Sequence, residues 1–469
     1  MTLQTVVLGA DPAGLTAAYE LTRFGTSAIT VLEPSGHIGG LARTENYHGY
    51  RIDLGGGALS TQTKSVRKLW ESLLPEDSVS LKVRSRIHYR HRLFEHPLTI
   101  TNSLKHLGPI DIGRAGISYF TNWFLAQQQQ TTEARSADEW LTRRFGAHIS
   151  RLFFRPYLEK VWGRPCHQLA ASCAQQALRD RKSNSLLHAT LEALVGNQDN
   201  VLHYPKKGAG SPWKNCADNI EQSGHHIALN AQIIHIEHAD HKIQTVIATD
   251  GHQLFTRSVD HLISSLPLTQ LTKLLNAPPE VSKAANQLKY RHIIQVALVI
   301  KAANLFPEHW IYVHHPHVKT NRIQNFKNWS ADMVADADKT CLGVTYFCDE
   351  TDALWQRSEG ELIAQAKQEL IELGLVLDKE QIETGTVLKQ ANAYPIPTVQ
   401  DDHNRAIVQS YLNKFENLQT IGRNGLHHYA GLESCILSGQ QSAETILNNT
   451  RAERSITQKE FQALDTASN

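Results

Sequence analysis

Apolar residues recur along this chain in two rhythms, one suited to buried strands and one to helices. Thr5–Leu8 (Thr-Val-Val-Leu) is a β-branched apolar run of the kind found in strands buried on both faces. Gly9-Ala10-Asp11-Pro12-Ala13-Gly14 follows at once, and Leu15, Ala18, Tyr19 and Leu21 then fall at helical spacing up to Phe24-Gly25. Ala28–Leu32 predicts a second buried strand, closed by Glu33. Farther along, Ile227–Leu266 alternates in short runs broken by Asp240, Asp250-Gly251 and Ser264-Ser265, which predicts a small β layer. Pro97–Ser185 is largely helical in pattern. One amphipathic stretch there begins at Asp138-Glu139-Trp140-Leu141 and Phe145. Another, Ile117–Leu125, carries Tyr119, Phe120, Trp123 and Phe124. Such an aromatic stretch can touch a membrane or a partner, but at helical spacing its commoner use is core packing. Glu359–Leu373 predicts an amphipathic helix, with Ser358 as N-cap and Gly374 as its stop. The polar tail from Thr450 to Asn469 is expected to fray.

Composition narrows the class without choosing it. The 469 residues make about three domains' worth of chain, or two large domains with interleaved segments. With 41% hydrophobic and 20% charged residues, collagen-like and wholly disordered readings are excluded. Lys+Arg 47 against Asp+Glu 46 leaves a net charge of +1, without the basic excess of a nucleic-acid or anionic-membrane binder. Six cysteines, at 166, 173, 216, 341, 348 and 435, contain no C-x-x-C, and no basic leader precedes the first strand. Reduced thiols and a cytoplasmic location are therefore expected. The longest apolar runs, near Val296–Ile300 and Val6–Gly9, are too short to span a bilayer. The 25 histidines would carry the charge from +1 to 1 + 25 = +26 if all were protonated. None has the His-x-x-x-His spacing of a helical metal site, so no metal is expected.

The first thirty-three residues carry the clearest chemistry. Strand, glycine turn, helix, strand and closing acid make a dinucleotide-binding βαβ unit, in which the helix N-terminus holds a pyrophosphate and Glu33 the ribose. The turn departs from G-x-G-x-x-G at one place: its second glycine is Asp11. Like charges about 5 Å apart cost on the order of 3 kcal/mol at an effective dielectric near 20, so a carboxylate there opposes a pyrophosphate. Asp11 is equally a good N-cap, with Pro12 at the first helical position.

Beyond Glu33, a Gly39-Gly40 turn is followed by Arg43, and Asp53-Leu54-Gly55-Gly56-Gly57 completes three linked motifs. Together they resemble the FAD-binding region of the amine oxidase and protoporphyrinogen oxidase superfamily. Four further segments resemble its UDP-galactopyranose mutase-like branch: Phe153–Gly163, His203–Gly210, Asn328–Ser330 with Leu342–Phe347, and Thr420–Tyr429. The resemblance implies FAD as cofactor and an α/β architecture: a discontinuous Rossmann-like FAD-binding domain with a small β layer, plus an α+β substrate domain with a helical insertion. It assigns 1–96, 201–275 and 396–449 to the FAD domain, 97–200 to the helical insertion, 276–395 to the substrate sheet and helix, and 450–469 to the tail. The implied cofactor-binding residues are Gly9, Asp11, Pro12, Ala13, Gly14, Glu33, Gly39, Gly40, Leu41, Ala42, Arg43, Gly55, Gly56, Gly57, Ala58, Ile233, Gly422, Arg423, Glu433 and Ser434. In this reading Arg43 supplies a fixed cation to the pyrophosphate, Gly55–Gly57 leave room for the flavin ring, and Ile233 lies against the adenine. Tyr204, His427 and Tyr429 are the candidates to face substrate.

The resemblance implies an FAD-dependent oxidoreductase or sugar mutase acting on a small molecule, such as a nucleotide-sugar or a lipid- or polysaccharide-linked substrate. Membrane contact would run through the helical insertion, although the charge balance does not call for it. No Ser-His-Asp, Cys-His or paired-carboxylate set stands out, as expected where the cofactor carries the reactive atoms. Relatives usually have a histidine and an arginine where Gly57 and Ala58 stand, and an asparagine-rich stretch with an Asp-His pair at Ala430–Ser434. The alternative is therefore a homologue with weakened or lost flavin binding that serves as a binding or scaffold protein.

Overall fold

A computed structural model describes residues 3–467 except 24, 26, 60, 75–76, 96–108, 129–132, 178–200 and 316. β1 (Leu3–Leu8) runs into α1 (Pro12–Thr22) and on to β2 (Ser27–Leu32), which pairs parallel with β1 from Leu3↔Ser27 to Leu8↔Leu32. The complete sheet is five-stranded and parallel, in the order Leu418–Thr420, His261–Ser264, β1, β2, His226–Ala228. Its strands thus come from the beginning, the middle and the end of the chain. Val7, Leu8, Val31 and Leu32 are completely buried, as covering on both faces requires.

The C-terminal helix, Leu432–Ala467, closes one face against α1. The two helices cross closely because Gly439 has no side chain: a Cβ there would lie 2.4 Å from the Ala13 carbonyl oxygen and 2.9 Å from Thr16 Cβ. This helix continues to Ala467, where the polar composition predicts fraying. The β layer forms as expected, from the antiparallel strands Gln232–Ala239, Lys242–Thr249 and Leu254–Ser258. Its first turn places Asp240 and His241 at φ 47° and 61°, the doubly left-handed geometry of a tight hairpin.

The second sheet has seven strands, ordered Ile382–Pro395, Tyr290–Ile300, Thr340–Cys348, Arg322–Asn325, Trp310–Val313, Ser85–Tyr89, Arg92–Glu95. All its pairings are antiparallel except that of Trp310–Val313 with Ser85–Tyr89. Every residue of Tyr290–Ile300 is buried, so this strand is the spine of the sheet. The helix Glu359–Glu372 packs on it, opened by a reciprocal capping box between Ser358 and Glu361. It stops before Gly374, whose φ is 68°, as the sequence predicts.

The insertion contributes the helices Pro109–Gln128, Ala137–Ile149, Arg155–Trp162 and Ala171–Ala177, around a core with Phe153, Phe154, Leu158 and Trp162. Here one expectation fails. Ile117, Phe120 and Phe124 are 69%, 70% and 59% exposed rather than core. Their helix leans on its neighbour through small polar contacts instead, with Ser118 Oγ accepting from the His148 N–H at 3.1 Å beside Gly146. The Trp123 and Leu125 side chains lie outside the described set. Among the described residues no helix is long and apolar enough to cross a membrane, and no group of three or more His, Cys, Asp or Glu could hold a metal. All six cysteines are free and buried.

Candidate functional site

Two constellations stand out, one at the head of α1 and one between the two sheets. At the first, β1 ends at Leu8 and Gly9 turns the chain at φ 104°. A Cβ on Gly9 would sit 2.2 Å from Ser265 Oγ, and one on Gly14 would sit 2.0 Å from the Gly9 carbonyl oxygen, so both positions demand glycine. Asp11 caps α1: Oδ1 accepts from the N–H groups of Ala13 at 3.0 Å and Gly14 at 2.9 Å. Pro12 opens the helix without wasting a donor. Glu33 accepts from the Ala10 N–H at 2.8 Å and the Ser35 N–H at 2.9 Å, leaving further lone pairs on both carboxylate oxygens.

Gly39 and Gly40 adopt φ 95° and 53° and bring their turn over the cap, where a Cβ on Gly40 would be 3.1 Å from Asp11 Cβ. Gly422 closes from the other side, 2.9 Å from Ala13 Cβ on the same test. Burial pushes the Asp11 carboxyl up to about 6; the Glu33 charge adds to this and the N–H groups of Gly14 and Ala13 work against it. Leu41 and Ala42 continue the glycine turn, and Ile233 is buried beside Leu32, the last residue of β2.

Several expected site residues have other partners. Arg43 gives Nε to Glu45 Oε1 at 2.9 Å and Nη1 to the Gln390 side chain and the Gly40 carbonyl. Its charge is met by Glu45, and it ties the turn to the Ile382–Pro395 strand. The glycine run is packed rather than roomy. A Cβ on Gly57 would lie 2.0 Å from Ala209 Cβ, and one on Gly55 would lie 2.6 Å from the Leu41 carbonyl oxygen. Only Gly56 faces outward, 3.5 Å from the Trp310 ring on that test.

Tyr204, expected to face substrate, is committed to the fold. It is buried, its hydroxyl donates to Asp53 Oδ2, and Asp53 Oδ1 accepts from Thr44 Oγ1 at 2.6 Å and the Ala209 N–H at 3.0 Å. Burial raises the Asp53 carboxyl, and these donors pull against that. Ala58 packs on the same apolar cluster. His427 is likewise buried, edge-on to Tyr290 and 3.6 Å from Asp401 Oδ2. Glu433 accepts from Thr61 and Thr63 and fastens the C-terminal helix to the segment that follows the glycine run, while Ser434 is exposed.

The second constellation is aromatic and cationic. Tyr429 meets Trp162 at 5.3 Å and Tyr394 at 5.7 Å. Arg423 lies 4.7 Å from the Tyr394 ring centre and donates Nε to the Ala430 carbonyl at 2.8 Å. Tyr312 and Arg322 are direct cross-strand partners, and Tyr157 meets Tyr312 edge-on at 6.1 Å. Arg322 lies 5.2 Å from the Trp310 ring centre. Its Nε and Nη2 are buried, and neither has a hydrogen-bond partner among the described residues. Burial pushes the Tyr429 hydroxyl up to about 12 and raises Tyr157 further, while the charge of Arg322 pulls both down.

Sequence reasoning selected Tyr429 here and missed Arg322, Tyr312 and Tyr394. One signal was available. In Arg322-Ile323-Gln324-Asn325 the period-two pattern sets Arg322 on the face opposite the core residue Ile323.

A parallel βαβ sheet assembled from three stretches of chain, joined to a mostly antiparallel seven-stranded sheet, has the architecture of a dinucleotide-binding flavoprotein. Residues 12–447 match the family model for flavin containing amine oxidoreductase, so the chain belongs to that family, whose cofactor is FAD. It shares its fold with a crystal structure of reduced UDP-galactopyranose mutase at TM-score 0.80 and 19% identity, covering 96% of this chain and 94% of that one. A protein from Exiguobacterium sp. 255-15 assigned as a protoporphyrinogen oxidase matches at TM-score 0.75 and 17% identity, over 95% and 99% of the two chains. Putrescine oxidase bound to putrescine matches at 0.65 and 14%, over 96% and 99%.

Proposed function

We propose that this chain is an FAD-dependent enzyme acting on a small substrate that carries an anionic group, with a nucleotide-sugar as the particular case. The observation that carries the reading is Arg322. A guanidinium whose buried Nε and Nη2 have no partner among the described residues, set beside Trp310 and the hydroxyl-bearing rings of Tyr312, Tyr157 and Tyr429, is a site built for an anion. The likeness of fold to UDP-galactopyranose mutase supports the choice of a nucleotide-sugar.

The residues at the head of α1 fit the dinucleotide half of FAD in all but one respect. The turn from Gly9 to Gly14 and the α1 N-terminus would take the pyrophosphate, the free lone pairs of Glu33 would take the ribose hydroxyls, and Ile233 would meet the adenine. Gly39, Gly40, Gly422 and Arg423 close around them. Asp11 is the exception, because its carboxyl already holds two of the N–H groups. Bound flavin supplies electron-pair transfer. The chain's own share is to orient the substrate anion through Arg322 and to exclude water with the tyrosines.

The test is calorimetric titration with UDP-galactose, using galactose as the neutral control. Arg322→Ala should weaken UDP-galactose binding by about a hundredfold, near the value of a charge-assisted bidentate pair. Equal binding by both proteins, or no preference for the charged ligand, contradicts the reading. A second reading, a scaffold protein with weakened flavin binding, is favoured by the occupied cap at Asp11 and by the filling of the Gly57 space by Ala209. Under that reading, protein incubated with FAD and desalted stays colourless.

A further inference from the structure

Asp11 stands where a phosphate-binding turn needs its second glycine, and its surroundings say what it does there. The N–H groups of Ala13 and Gly14, at 3.0 and 2.9 Å from Oδ1, are donors that an incoming pyrophosphate would use. Every element packed on the carboxyl presents an identifiable group. Glu33, at the end of β2, adds a like charge. Arg423 adds an opposite one, but its guanidinium is stacked on Tyr394 and spends Nε on the Ala430 carbonyl. Cys435, from the C-terminal helix, is a buried thiol held neutral. Ser265, after the His261–Ser264 strand, donates its hydroxyl to the Leu8 carbonyl at 3.1 Å. It also bonds the Asp11 side chain, and that bond favours the ionised carboxyl and works against the burial. Gly40 and Gly422 crowd the remaining sides.

Burial and the Glu33 carboxylate thus oppose an ionised Asp11, and the groups that oppose them include the same Ala13 and Gly14 N–H groups a pyrophosphate would claim. We propose that FAD loading on this chain is coupled to the uptake of one proton by Asp11. The neutral acid gives up the α1 N–H groups and admits the pyrophosphate. The carboxylate holds those groups and repels the dianion. This rests on the reading above that FAD binds at the α1 turn.

Burial with the Glu33 charge puts the carboxyl at about 6, so the neutral form prevails below that pH and the carboxylate above it. If only the neutral form binds, affinity falls by roughly tenfold for each pH unit above the transition. The fall ends at the residual affinity of the carboxylate form. Flavin affinity is then set by pH across the near-neutral range.

The experiment uses the full chain stripped of flavin and titrated with FAD, following flavin fluorescence between about pH 5.5 and 8, a range that brackets the transition. Wild type is expected to lose tenfold or more in affinity across that range, while Asp11→Asn and Asp11→Gly stay flat and bind more tightly than wild type at the upper end. Asp11→Asn keeps a good N-cap, and a circular-dichroism melt of each variant establishes that it is folded. A flat wild-type profile, or the same slope in Asp11→Asn, overturns the proposal while leaving FAD binding intact. Failure of all three proteins to take up FAD at any pH overturns both the proposal and the reading beneath it.

Discussion

The two constellations solve opposite problems. At the head of α1 four backbone donors are spoken for: the Ala13 and Gly14 N–H groups by Asp11, the Ala10 N–H by Glu33, the Gly39 N–H by the Ala10 carbonyl. On the seven-stranded sheet, Arg322 keeps two buried nitrogens without a partner among the described residues. At the first site backbone donors are already held by side chains of the fold. The second site is built of side chains. An unmet cation stores a demand for an anion, whereas a filled cap must first let go, so ligand removal should affect the two regions differently.

The largest expected effect comes from filling a glycine that the turn cannot spare. Gly14→Ala drives a methyl to 2.0 Å from the Gly9 carbonyl oxygen and should destabilise the fold by about 3 kcal/mol or more, read by denaturant unfolding. A loss near zero would mean the turn can relax and is not the rigid region described. Gly57→Ala meets Ala209 at the same distance, and about 2 kcal/mol of destabilisation is expected. Ala209→Gly in the same chain should restore most of it. No rescue would indicate that Gly57 guards open space rather than a packed contact.

Tyr204→Phe removes one donor from the buried Asp53 and should cost about 1–3 kcal/mol of stability with flavin affinity unchanged. A change in flavin affinity would mean that the Tyr204–Asp53 pair also shapes the cofactor site. At the other region, Arg322→Met replaces an unpaired buried cation with an apolar chain and should leave the ligand-free protein as stable or more stable by about 1 kcal/mol. Marked destabilisation would mean that Arg322 has a structural partner.

The smallest effect is a pH dependence of ligand-free stability. The folded Asp11 carboxyl, at about 6, lies above its ordinary 3.8, so the fold favours the protonated form. Its contribution is complete below about pH 4 and is lost as pH rises through about 6. Asp11→Asn should remove that part of the wild-type slope in thermal melts. An identical slope in both proteins would assign it to other groups.

How much of this was readable in sequence follows from what each region is made of. The βαβ unit was legible because its determinants are local: β-branched runs, obligatory glycines and a closing acid lie within thirty-three residues. Ser358 with Glu361, and Gly374, marked a helix for the same reason. The motif around Tyr204 suggested its nearness to the glycine loop, but its bond to Asp53, 151 residues away in sequence, could only come from the fold. Gly57 misled because a missing side chain looks the same whether a ligand or Ala209 fills the space. Arg322 stayed hidden because its character comes from strands pairing at Tyr312↔Arg322 and from Tyr429, far along the chain. Local chemistry is written in order, while a cage is assembled from distant pieces.

The central claim is that this is a flavin-binding chain whose cofactor niche is held by Asp11. Equilibrium dialysis of the full chain against FAD, on either side of pH about 6, tests it most directly. The account predicts near-stoichiometric yellow protein on the acid side and much weaker retention on the alkaline side. Protein that stays colourless throughout, or retains FAD equally on both sides, would contradict it.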